Sequence, residues 1–117
     1  YNVAVGEALE RYAGAEAASK YRASRIVPDA DVLCRILAVA RFRAAHVRPS
    51  MTMIRFPQIE RFVLSHLSAS PVASALAALS AEKRVALAKQ VKGSLQPYAD
   101  GDDVVVPDET NIAIAHT

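Results

Sequence analysis

The residue types that most often carry chemistry are thinly spread in this chain. His46, His66 and His116 lie far apart, with no H-E-x-x-H pair and no His/Cys pairing, so no zinc-type ligand set is expected. Each reads as a surface histidine or one satisfied by a neighbour. Cys34 sits among apolar residues of a helical stretch and reads as a buried, inert thiol; no G-x-S-x-G elbow offers a serine nucleophile. The acidic run Asp100-Gly101-Asp102-Asp103 lacks the spacing and closing Glu of a calcium loop and reads as a solvated turn. Met51 and Met53 read as core. The candidates for lining a pocket are therefore Tyr12, Phe56, Phe62 and His66, since flat aromatic faces sandwich a small molecule and an imidazole accepts a proton. The competing reading packs these four between helices.

The elements that must position them follow from spacing. Val3, Val5, Ala8, Leu9, Tyr12 and Ala13 recur at helical intervals, with Gly14 where a helix would end. Ala15 to Ala23 continues as a second helix. Asp29 is placed as the N-cap of a third, with Val32, Leu33, Ile36, Leu37 and Ala40 on one face. Ala45 to Phe56 has the profile of a strand, with a change of register expected at Pro49-Ser50 because the apolar phase switches there. Pro57 is placed as the first residue of the next helix, with Ile59, Phe62, Val63 and Leu67 as its stripe. A short Ala-rich helix, Val72 to Leu79, precedes a basic helix, Ala81 to Leu95, whose inward face is expected to be Val85, Ala88, Val91 and Leu95. Gln96-Pro97-Tyr98 ends that helix. The apolar runs Val104 to Val106 and Asn111 to Ala115 then give a second strand, which needs the first as its neighbour.

Composition bounds what this pattern can be. With 117 residues, 52% of them hydrophobic, and no Trp, the chain suffices for one modest domain over 1–117. One cysteine excludes an internal disulfide, and no run is apolar and long enough for a membrane helix. A cytoplasmic protein is expected. The opening at Tyr1 reads as mid-protein sequence. The net charge of +2 divides into +4 for residues 1–55 and −2 for residues 56–117. The positive charges are mostly singletons, with no aromatic box or zinc-finger spacing among them, so nucleic acid is not an expected partner.

The order of segments carries a resemblance. A helix ending at Tyr12-Ala13-Gly14 precedes an Asp29-started helix that runs into Ala40-Arg41-Phe42-Arg43. A strand then ends at Ile54-Arg55-Phe56-Pro57 and leads into a helix with Glu60 and Phe62-Val63. Ser70-Pro71, Leu95-Gln96-Pro97-Tyr98 and Pro107 to Ala115 complete the series. This resembles the C-terminal portion of class I S-adenosylmethionine-dependent methyltransferases, in particular the UbiE-like small-molecule group.

The resemblance implies a mostly helical α/β fragment with an antiparallel two-strand hairpin, Ala45 to Phe56 and Val104 to Ala115, as strands six and seven of a Rossmann-like sheet. Val3 to Ala23 and Pro57 to Leu79 would form a lid over a small-molecule methyl acceptor. S-adenosylmethionine would serve the complete enzyme. This chain alone would bind no cofactor, because Gly6, Gly14, Gly93 and Gly101 do not make even a G-x-G turn. Where the family usually has Ala-Gly-Phe, the chain has Ala40-Arg41-Phe42, which places Arg at a left-handed cap suited to glycine. A different class of function also fits: a non-catalytic helical module that binds itself or a partner. In either case a hairpin lacking its usual neighbours exposes a strand edge, and a homodimer through such edges is expected.

Overall fold

In the computed structural model, which describes residues 1–117, each helix boundary has an identifiable local cause. Helix α1 (Asn2–Ala13) ends at Gly14, whose φ of 97° breaks the helical path, and α2 (Ala15–Ala23) restarts directly after it. Helix α3 (Ala30–Val39) is capped as expected, the Asp29 carboxylate accepting from the Val32 N–H at 2.8 Å. Its other end closes in a Schellman motif: the Phe42 N–H donates to the Leu37 carbonyl and the Arg41 N–H to that of Ala38. Arg41 takes the left-handed position, with φ at 63°. A side chain there costs about 1 kcal/mol relative to glycine.

Strand β1 (Arg43–Phe56) follows at once. It is continuous through Pro49, and its half-buried side chains change phase there as expected, from Ala45 and Val47 to Ser50, Ile54 and Phe56. Ala44, near its start, takes φ 49°. Helix α4 (Ile59–Ser68) begins two residues after Pro57. Pro57 is not its first residue, because Gln58 turns left-handed at φ 44° and ψ 64° and serves as the N-cap. Helix α5 (Ala73–Ala77) is one short turn within the expected Ala-rich stretch. Helix α6 (Ala81–Ser94) starts from Ser80, whose hydroxyl accepts from the Lys83 N–H. A 3-10 turn, Gln96–Tyr98, ends it.

The sheet has three strands where two were expected. Strand β2 (Ala99–Asp100) adds a short rung, and β3 (Asp103–His116) is one unbroken strand, not two apolar runs. The order is β1-β3-β2 and the pairing antiparallel, so the two long strands are direct neighbours. Strands β2 and β3 pair Ala99 with Val104 and Asp100 with Asp103. That register leaves Gly101 and Asp102 as a two-residue turn. Gly101, at φ 63°, supplies the positive φ that a II′ hairpin needs at its first central position.

By contact the chain forms two units. One comprises Tyr1–Ile26 with Arg55–Val106 and holds the whole buried core: Val5, Ala8 and Leu9 of α1, Ala18 and Tyr21 of α2, Ile59, Val63 and Leu67 of α4, Leu87 and Val91 of α6, and Val104 of β3 among them. Helix α6 packs against both α1 and α4. Its inward residues are Leu87, Ala88, Val91 and Leu95. Val85, expected to face inward, is 45% exposed, and Leu87 takes its place at 0%. Burial of the apolar residues on this face is what orders the helices, since isolated helices of this length are marginal in water.

The other unit, Val27–Ile54 with Pro107–Thr117, contains α3 and the remaining lengths of β1 and β3, and it has no buried residue. Of the apolar face expected of α3, Val32, Leu33 and Leu37 are half-buried while Ile36 is 53% exposed, and Val39, outside that face, is 84% exposed. Met51 and Met53, expected in the core, are 63% and 61% exposed. No helix is long and apolar enough to cross a membrane.

Candidate functional site

Helix α4 places Phe62 and His66 four residues apart, on one face. Phe56, at the end of β1, lies with its ring 5.1 Å from Phe62, and the Phe62 ring is 5.8 Å from that of His66. Three of the four residues expected to line a pocket are thus in one cluster. Tyr12 is not in it. It lies in the last turn of α1, beneath the guanidinium of Arg11 at 5.3 Å, and Arg11 in turn donates to Gln90. The cluster meets α1 at the opposite end, through Tyr1, and eleven residues of helix separate the two ends by about 16 Å.

Tyr1 and Tyr21 complete the cluster. The Tyr1 ring stacks on Phe56 at 4.4 Å and lies 5.6 Å from His66, and Tyr21 meets His66 edge-on at 6.2 Å. Such pairs add about 0.5–1.5 kcal/mol each beyond the area they bury. The Tyr21 hydroxyl donates to Asn2 Oδ1 at 3.0 Å. Nothing in the sequence marked Tyr1 or Tyr21 for this role. Tyr21 is a residue of an amphipathic helix like any other until the fold turns it toward α4.

Both ring nitrogens of His66 are engaged: Nδ1 lies 2.7 Å from the Tyr1 hydroxyl, and Nε2 lies 2.7 Å from Nη2 of Arg25. A guanidinium only donates, so Nε2 must be the acceptor and Nδ1 must carry the proton in the neutral ring. Nδ1–H therefore donates to the Tyr1 oxygen. Burial, and next the charge of Arg25, hold the His66 imidazole below its ordinary 6.5. Burial likewise pushes the Tyr1 and Tyr21 phenols above the usual tyrosine range. The chemical consequence is restrictive. The one basic lone pair of His66 is occupied, so the ring accepts a proton only when Arg25 moves aside.

The acidic turn is solvated as expected, with Asp102 84% and Asp100 63% exposed, and it is also a second built cluster. Asp103 accepts from the Gln58 N–H at 2.9 Å, and the Asp102 carbonyl accepts from the Ile59 N–H at 2.9 Å. Two otherwise orphaned donors at the start of α4 are thereby satisfied. Arg55 bridges Asp100 at 2.8 Å and Asp103 at 3.0 Å, while Lys92 of α6 reaches Asp102 and Glu60. The Gln58 N–H first, and then Arg55, hold the Asp103 carboxyl below the usual carboxylate range. The turn is a clamp joining α4, α6 and the β2-β3 hairpin.

The remaining candidates stand apart. His46 and His116 are exposed, and Cys34 is a free, half-buried thiol, less enclosed than the buried one expected. No group of three or more His, Cys, Asp or Glu side chains gathers as a metal site would require. The two positive-φ glycines serve a helix junction and a hairpin, and the carboxylates nearest a strand end, Asp100 and Asp103, are already paired with Arg55. The chain matches no protein-family model, no curated protein and no solved structure.

Proposed function

We propose that this chain is the acceptor-binding, sheet-closing C-terminal part of an S-adenosylmethionine-dependent methyltransferase that acts on a small molecule. The observation that carries the reading is topological. A capped helix, α3, feeds directly into β1, an all-helical insertion follows, and β3 returns antiparallel beside β1. That is the order in which the family resembled by the sequence completes its sheet, with β1 and β3 as strands six and seven. The acceptor would lie in the groove lined by Pro57, Gln58, Arg61, Phe62 and Ser65, where the Phe62 ring, backed by the Tyr1–Phe56 stack, offers an apolar wall without hydrogen-bond demands. Methyl transfer needs alignment of acceptor and sulfonium more than acid–base help, so an apolar wall suffices on this side of the reaction. S-adenosylmethionine itself would be held by residues outside this chain.

A second reading has its own support. The unit without buried residues leaves Val39, Met51, Met53 and Ile114 exposed, and β1 lies at the edge of the sheet. A non-catalytic module that pairs with a second copy through that edge would cover them. One experiment separates the two: intact mass, sedimentation and calorimetry with S-adenosylmethionine, all on the native gene product. The methyltransferase reading expects a mass of about twice this chain's 12.6 kDa or more, together with cofactor binding. A native product of 12.6 kDa that ignores the cofactor and sediments as a dimer refutes it in favour of the module.

A further inference from the structure

His66 is the point at which three elements of the helical unit converge through side chains. Tyr1, the N-cap of α1, faces Nδ1; Arg25, just beyond the end of α2, faces Nε2; Tyr21 of α2 meets the ring edge-on. Phe62, from α4 itself, packs on the same ring. No carboxylate forms an ion pair or hydrogen bond with His66 or Arg25. Glu10 is paired with Arg22, and Glu60 with Lys92. The titratable side chains in contact with the imidazole are Tyr1, Tyr21 and Arg25, and of these side chains only Arg25 carries charge at neutral pH.

The Arg25 contact exists in one protonation state alone. With Nε2 bare, a guanidinium N–H donates to it at 2.7 Å. With Nε2 protonated, two donors and two positive charges would face each other at that distance, which no rotation of the imidazole relieves while Nδ1–H is held by Tyr1. Arg25 has one other side-chain hold, over the Tyr21 ring at 5.2 Å, and its backbone N–H reaches only Arg22 in its own turn.

We propose that His66 and Arg25 form a pH-operated latch: the neutral imidazole holds the Arg25 side chain, just beyond the end of α2, against α4, and protonation of Nε2 expels it. The latch is independent of whether the chain serves a methyltransferase. Its operating range lies below 6.5, since burial and Arg25 both disfavour the imidazolium.

The test is side-chain 15N NMR on the full chain, titrated from about pH 7.5 to about pH 5, across the range where histidine changes charge. At the upper end His66 is expected as the Nδ1–H tautomer. On acidification Nε2 takes up the proton, and the Arg25 guanidinium resonances move to those of a free arginine with the same midpoint. In His66→Gln the side-chain carbonyl still accepts from Arg25 but does not titrate, and the Arg25 resonances should stay fixed. Arg25→Met keeps the imidazole and should raise its midpoint. An Nε2–H tautomer at neutral pH would overturn the latch, as would an Arg25 response that persists in His66→Gln. A His66 midpoint unmoved in Arg25→Met would overturn it even if the glutamine variant failed to fold.

Discussion

Leu87→Ala tests the packing of α6 at the position where the structure and the apolar spacing of the sequence part company. Leu87 is 0% exposed on the helix that packs against both α1 and α4. The substitution removes three carbons, worth about 2.4 kcal/mol at about 0.8 kcal/mol per buried methylene. Because α1 and α4 are held by their own core residues, the space is expected to remain partly open, and the cavity raises the loss to about 3–4 kcal/mol. Val85→Ala on the same helix removes two carbons from a side chain 45% exposed. Its lost burial, below about 1 kcal/mol, is offset by the better helix propensity of alanine, leaving about 0.5 kcal/mol or less. Urea unfolding followed by far-UV circular dichroism reads both, with equal m-values as the check that the unfolded states match. Equal losses for the two variants, or a larger one for Val85→Ala, would refute the orientation of α6 described above.

Two further outcomes follow from the clamp and the caps. Asp103 has a carboxyl held below its ordinary 3.8, so the stability it contributes is present above that value and is lost as pH falls through the lower folded-state value. Asp103→Asn should be less stable than the parent near neutrality and show a flatter acid limb in thermal melts; an unchanged acid limb would count against the clamp. Ser80→Ala removes the acceptor for the Lys83 N–H and should cost about 1 kcal/mol in the same urea assay. No measurable loss would mean that water or another group replaces the cap.

Much of the local structure was legible because its causes are local. Gly14 ended a helix, Asp29 and Ser80 capped helices with their own side chains, and Arg41 fell where a left-handed residue was called for. The antiparallel adjacency of the two long strands also followed, because neither had another partner of its length. The start of α4 was not legible from Pro57, since the acceptor for the Gln58 N–H comes from Asp103, 45 residues further on. The phase of α6 was ambiguous for a different reason: Val85, Leu87, Ala88 and Val91 place apolar side chains on more than one side of the helix, and only the facing helices select among them.

The candidate site divides the same way. Phe62 and His66 share a helix face by spacing, and Phe56 precedes that helix closely enough to reach them. Tyr12 was grouped with them on residue type alone, and its place at the far end of α1 follows from helix length. Tyr1, Tyr21 and Arg25 enter only through tertiary contact. The hydrogen bonds of Tyr1 and Arg25 decide which nitrogen of His66 holds the proton, and no pattern in one segment could have supplied that.

Both methionines of the chain lie on β1, two residues apart and largely open to solvent. Dilute peroxide should therefore convert them to sulfoxides without first opening the helical unit, and the mass change would count them directly. Whatever comes to rest on that strand, from another chain or from more of this one, would slow their reaction. The thioethers thus serve as a built-in gauge of whether the strand is bare or shielded in the cell.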